Sequence, residues 1–386
     1  MNKIKLTAAL KRKALAAAVM VAVSGSAFAD VTIFGIVDLG IGGDSSDNDV
    51  TMVDGGEGRT IELPSIWGIK GEEDLGNGLT ASFALESDLE ASSGGTNRGG
   101  TTLSNNGARF WARQSNVSLS NDTGSISIGR IYSPAILAAA AVDTRALFES
   151  QSGLVQFVAI AQGVDATARA LMAGATDATG TTTNTNSHAD VFLSNAVSVK
   201  FTPGPLNVAV AYSFGEAAGD SGANSNLHAG VTYSDNGLTV SGNYVKNSGN
   251  NTTDDSYGES QKMLIGAKYK MDSITLAGHY MKGEANATAS SVQAADNEGY
   301  AAGVTFTQGS TEFDLAFYST KNENSGVTDA ENDEIILAFR NNLSKRTTLY
   351  AKLCNTDRGL NAPAGACAGG QGESDTYYGV GVFHKF

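Results

Sequence analysis

The sequence predicts an all-β protein, a transmembrane antiparallel β-barrel of about sixteen strands with one external loop folded inward. Three observations predict it. From Val31 onward, segments of roughly ten residues alternate apolar and polar side chains, the length that a tilted strand needs to cross a bilayer. Long polar connections alternate strictly with short turns, which a soluble sandwich has no reason to maintain. No window after the N-terminal leader is apolar enough for a membrane-crossing helix, and a membrane chain without one must close a barrel to satisfy its backbone in lipid.

Met1–Ala29 carries Lys3, Lys5, Lys11, Arg12 and Lys13, an apolar run from Ala14 to Val23, and Ser-Ala-Phe-Ala before Asp30. This is the pattern of a secretory signal peptide, too short to span a bilayer. Its removal takes away five basic residues and no acidic one, leaving 21 Lys and Arg against 40 Asp and Glu, a net of −19. Such a surface excludes nucleic acid as a partner, because phosphate binding needs cations to replace counterions. With no proline-rich or charged boundary, residues 30–386 read as a single domain.

VTIFGIVDLG (Val31–Gly40) opens the barrel, with Val31, Ile33, Val37 and Leu39 opposite Thr32 and Asp38. A Gly/Asp-rich loop runs to about Leu63 before SIWGIKGEEDL. After the turn DLGNG comes LTASFALESDLE, with Leu79, Ala81, Phe83 and Leu85 opposite Ser82, Glu86 and Asp88. Later short turns fall near Asn121–Gly124, Pro203–Pro205, Asp235–Gly237, Met271–Ser273, Gln308–Ser310 and Asn342–Arg346. Long connections fall near Ala91–Gly107, Glu216–Ser225, Asn247–Glu259, Glu284–Asn297, Asn322–Asn332 and Thr356–Glu373. Because the first strand starts inside, every short turn is periplasmic. Tyr212, Phe214, Tyr233, Tyr244, Tyr269, Tyr280, Phe317 and Phe339 share the apolar face, where interfacial girdles lie.

Ser133–Asp190 breaks the rhythm. It contains AILAAAAVDTRALFE, LVQFVAIAQ and ARALMAGA, whose spacing suits one or two short helices. A long apolar loop is not left in water, so it is expected to fold into the barrel and narrow it; a subunit contact is the other way to cover it. At the far end, Tyr378, Val380, Val382, His384 and Phe386 share one face of SDTYYGVGVFHKF (Ser374–Phe386). As the edge of a soluble sheet this strand would be sticky, whereas pairing with the first strand removes the edge. Cys354 and Cys367, in an exported protein, are expected to form a disulfide across one loop.

Opposite the lipid-facing residues lie Asp38, Lys70, Glu86, Asp88, Lys200, Lys268, Glu312, Asp314, Arg340 and Lys352. A large barrel lined with both signs of charge is a water-filled pore, and charges at its constriction act on passing ions. Sites for chemistry are weak by comparison. Gly219-Asp220-Ser221-Gly222 has no matching base and orienting acid. Asp44, Asp47, Asp49, Asp54 and Glu57 lack the spacing of a calcium loop, and two cysteines with four scattered histidines make no metal site. No cofactor and no catalytic residue is expected.

VTIFGIVDLGIG, SIWGIKGEEDLGNGLTASFALES, RFWARQSNVSLSNDTGSISIGRIYSP and the ending YYGVGVFHKF together resemble the trimeric general porins of β-proteobacterial outer membranes. The resemblance is strong in the first hundred mature residues and the last strand; the middle matches in rhythm. It implies a sixteen-stranded homotrimer among outer-membrane lipid and lipopolysaccharide, passing small hydrophilic solutes and ions. It places the family's wall arginine on Arg113, beside Arg109, and its lysine on Lys70. Ile66 and Phe192 stand where the family has further arginines. The acidic loop motif is missing, leaving Asp143 and Glu149 as the nearest acids, so a less polar constriction is expected. By alternation Arg113 shares a face with Val117 and Leu119, yet the resemblance puts it in the lumen; a bulge or a buried subunit contact would reconcile the two. A channel selective for a less polar solute class, and a barrel enzyme or adhesin working through its loops, remain open.

Overall fold

The structure is a computed structural model that describes residues 30–45, 50–54, 62–95, 110–147, 152–153, 156–157, 191–215, 222, 225–248, 259–285, 295–322, 331–359 and 373–386. Its strands are β1 (Asp30–Asp44), β2 (Val50–Asp54), β3 (Ile66–Gly76), β4 (Leu79–Asp88), β5 (Gln114–Asn121), β6 (Gly124–Tyr132), β7 (Phe192–Phe201), β8 (Leu206–Ser213) and β9 (Asn226–Asp235). They continue as β10 (Leu238–Asn247), β11 (Ser260–Met271), β12 (Ile274–Ala285), β13 (Ala295–Gln308), β14 (Thr311–Asn322), β15 (Glu331–Asn342), β16 (Thr347–Arg358) and β17 (Glu373–Lys385). One helix, α1 (Pro134–Val142), follows β6.

Each strand from β3 to β17 pairs antiparallel with the next, and β1 closes the ring. Asp30–Ile36 of β1 pair with β3, while Ile36–Asp44 pair with β17. Gly35 and Phe386 exchange backbone hydrogen bonds at 3.2 and 3.0 Å, so the terminal aromatic strand meets the first, as its pattern predicts. The barrel therefore has sixteen strands, β1 and β3–β17. The extra strand, β2, folds back on Leu39–Gly43 of β1, beyond the reach of β3. It lies in a segment read from the sequence as loop only.

The seven short turns fall where the sequence put them, all at one end. Asn77-Gly78 and Asn236-Gly237 have positive φ at both residues (53° and 76°, 49° and 81°). That geometry twists the hairpin the way the strands twist, and Asn-Gly adopts it at little cost. The alternation also sorts the two faces. Val31, Ile33, Val117, Ile128, Val199, Ile265, Leu276, Leu315, Leu337, Leu353 and Val380 point outward and are exposed, as a lipid-facing band requires. The inner face carries the charges described next.

Candidate functional site

The third external loop enters the barrel at Ser133, whose Oγ caps α1 by accepting from Ala135 N at 3.1 Å. Pro134 starts the helix where its missing N–H costs nothing. The same Oγ lies 2.6 Å from Nδ1 of the buried His228 on β9, and Asn243 Nδ2 of β10 donates to Ala135 O at 2.9 Å. α1 therefore lies along the inner wall over β9–β11. Its Ala135, Ile136, Ala139 and Val142 pack with Val245, Leu264, Met281 and Phe157 into a buried apolar cluster. Two glycines make this approach possible. A Cβ on Gly230 would stand 2.4 Å from Pro134 O, and one on Gly266 would stand 2.7 Å from Val142 Cγ2.

Beyond α1 the described residues of the loop stay on the wall. Asp143 Oδ2 accepts from the backbone N–H groups of Arg145 (3.0 Å) and Leu147 (2.9 Å), and Oδ1 accepts from Tyr318 OH at 3.0 Å. Gln156 reaches His279 Nε2 at 3.1 Å, and it donates to Ser319 O at 2.6 Å and to Thr320 Oγ1 at 3.0 Å. Asp143, predicted as an acid of the constriction, is completely buried, and its oxygens hold the loop in shape.

Glu62, near the end of the first external loop, is the centre of a buried ionic node. Its carboxylate lies 2.9 Å from Arg145 Nη2, 3.1 Å from Arg340 Nη1 and 3.3 Å from Lys352 Nζ. Arg145 and Arg340 both also reach Asp314, at 3.1 and 2.7 Å, and Arg340 reaches Glu312 at 3.1 Å. Burial alone would raise the Glu62 carboxyl, but Arg145, Lys352 and Arg340 outweigh it and hold it at about 2. Asp38 completes the node. It accepts from the backbone N–H of Glu62 and Leu63 at 2.9 and 2.7 Å and from Tyr350 OH at 2.6 Å. Two external loops and four strands are thus tied at one point, where Arg145, Arg340 and Lys352 meet the acids Glu62, Asp314, Glu312 and Asp38.

A second node sits across β4–β7. Arg113 Nε lies 2.7 Å from Glu86 Oε1, and Nη1 lies 2.9 Å from Asp88 Oδ1. Tyr132 OH accepts from Arg113 Nη2 at 2.8 Å and donates to Glu86 Oε1 at 2.7 Å. The guanidinium groups of Arg113 and Arg130 stand 5.1 and 5.2 Å from the Phe192 ring, within cation–π range. Arg113 shares this inner side with Glu86, although alternation would turn it outward. β5 begins only at Gln114, so the two-residue period does not reach back to Arg113.

Of the other predicted lumen residues, Lys70 on β3 and Lys200 on β7 are exposed on the inner face toward the short-turn end, and Lys268 on β11 is half-buried. Lys70 Nζ stands 5.5 Å from the Phe34 ring. Arg109, Glu149 and Cys367 lie outside the described residues, as do Gly219–Ser221, Asp47, Asp49 and Glu57. Cys354 is fully buried, on the inner face. Sequence reasoning did not single out Glu62 or Arg145. Each lies in an irregular loop, and the one available signal was a charged residue inside the apolar stretch of the third loop.

The Gram-negative porin family model matches residues 14–359. The chain is a member of that family. Curated relatives include an outer membrane porin protein of Bordetella pertussis, 32% identical over 31% of this chain and 33% of that protein. Another is the major outer membrane protein P.IB of Neisseria meningitidis, 35% identical over 32% of this chain and 34% of that protein. The matched part thus spans about a third of the length of each of these relatives. Among solved structures, an anion-selective porin from Comamonas acidovorans superposes with a TM-score of 0.71 at 22% identity, over 93% of this chain and all of that one. Salmonella typhi OmpF superposes with a TM-score of 0.61 at 14% identity, over 92% of this chain and 97% of that one. At these identities the likeness is one of fold. As a porin, the barrel resides in the outer membrane.

Proposed function

We propose that this porin is a water-filled channel for passive diffusion of small hydrophilic solutes and ions, with the third loop setting the limiting cross-section. The observation that carries this reading is α1 lying flat on the inner wall of a closed barrel whose lipid face is apolar and whose inner face is charged. The channel sorts by size more than by charge. Arg145, Arg340 and Lys352 are matched by Glu62, Asp314 and Glu312, with Asp38 beside them, and Arg113 is matched by Glu86 and Asp88, so Lys70, Lys200 and Lys268 are offset in part by Asp38 and Asp143. A wall so nearly balanced gives the pore little charge preference.

The working unit is a homotrimer in outer-membrane lipid and lipopolysaccharide, exported by residues 1–29 and folded as one domain over residues 30–386. A trimeric form is known for OmpT of Vibrio cholerae, which shares the fold. Cys354 is bridged to Cys367; no free cysteine occurs among the described residues. No covalent chemistry is assigned. Planar-bilayer recording of the purified chain in a salt gradient tests the proposal. Large steps with a small reversal potential support it, and an absence of conductance overturns it.

A further inference from the structure

α1 has two faces and no polar side chain. Pro134, Ala135, Ala138, Ala139 and Val142 are buried on the wall side. Leu137 is 58% exposed, and Ala140 and Ala141 are half-exposed beside it. Positions 137, 140 and 141 follow the i, i+3, i+4 spacing that places them on one ridge, which faces away from the wall into the channel. The wall-side contacts explain the buried alanines but give no reason for an apolar residue at 137, where a serine or glutamate would be better solvated. The charges that follow, Asp143 and Arg145, are both fully buried toward the wall, so they leave the ridge uncharged.

One cation stands just below. Lys268 follows Gly266 by two residues on β11, toward the short-turn end, and Gly266 is where Val142 packs. Its cross-strand partners are Thr239 and Ala277, both uncharged. Among the described residues Lys268 forms no salt bridge. The acids whose fields reach it are Asp143, hydrogen-bonded by the Tyr318 hydroxyl, and Asp314, paired with Arg145 and Arg340.

We propose that the ridge Leu137–Ala140–Ala141, together with Lys268 beneath it, is a selectivity site for amphiphilic anions, small carboxylates with an apolar tail. The inference rests on the channel reading above. A solute passing the constriction leaves part of its apolar hydration on contact with Leu137, while its carboxylate is drawn to Lys268. Partial burial of one or two methylene groups gives about a threefold advantage over a hydroxylated anion of equal size.

The test compares butyrate with lactate, which match in charge and nearly in size, by bi-ionic reversal potentials against chloride on the full-length channel. The wild type should favour butyrate about threefold beyond the ratio of free mobilities. Leu137→Ser should return the ratio to that of free solution, and Leu137→Met should keep it. Lys268→Gln should lower both carboxylates relative to potassium and leave their ratio in place. A wild-type ratio equal to free mobility, or one unchanged in Leu137→Ser, overturns the site while chloride steps persist. Loss of all steps in the wild type would instead overturn the channel reading on which it rests.

Discussion

In Glu62→Gln the side chain keeps its shape and loses its charge at a point where Arg145, Arg340 and Lys352 converge. Removing one partner of a buried ionic group costs about 3–5 kcal/mol. Arg145 and Arg340 retain Asp314, which places this case at the lower end. The depressed carboxyl gives the same figure: a value of about 2 against an ordinary 4.5 corresponds to about 3 kcal/mol. That energy holds the first and third loops to the wall, since none of the barrel ladder passes through Glu62. Local release of the third loop should therefore become about 150-fold more populated while the ring stays closed. Single-channel traces of the variant should show sublevels and flicker at neutral pH, with faster hydrogen exchange at the α1 amides and unaltered resistance of the barrel to denaturant. Acid should mimic the change in wild type. A carboxyl lowered on folding stabilises fully above its unfolded value, and that contribution fades as pH falls from about 4.5 through about 2. Traces should thus be constant from neutrality to about pH 5 and become noisy below. Quiet variant traces with wild-type exchange rates would show that the node does not hold the loop.

Three further outcomes can be checked. Arg113→Ser leaves Glu86 and Asp88 without their guanidinium, so the reversal potential in a salt gradient should move toward cation preference; an unchanged potential defeats the assignment of Arg113 to the pathway. Gly230→Val forces a side chain into Pro134 O and Ala138 Cβ; overpacking of about 1–3 kcal/mol should lift α1 off the wall and reduce the conductance step, and an equal step would show that the wall gives way instead. Thiol titration of unreduced, denatured protein should find neither Cys354 nor Cys367 reactive, and two free thiols would disprove the bridge.

The barrel was legible because its rules are local. Alternation marks each strand, Asn-Gly pairs mark turns, and an apolar 133–190 segment has to be covered by something. Even the closing pair could be anticipated, since an exposed apolar edge at Ser374–Phe386 demands a partner. The fastening of the loops was not legible. Glu62 meets partners 83 and 278 residues away, Arg145 and Arg340, and nothing periodic connects them. Asp38, Arg340 and Lys352 follow the inward alternation, but alternation does not tell whether an inward charge meets water or another loop. Arg113 stands one residue before the pattern begins, and β2 exists because the upper half of β1 offers backbone groups that β3 leaves unpaired.

The seam between β1 and β17 joins Ile36 to Lys385, from the first and the last strand of the barrel. Contacts so distant in sequence are the slowest to find each other, because the entropy of gathering the intervening polypeptide must be lost first. Ring closure therefore comes last in folding, after the hairpins have formed. Until it does, the curled sheet carries two raw margins able to zip onto a sister molecule, so the journey to the bilayer is the stage at which this protein most needs an escort.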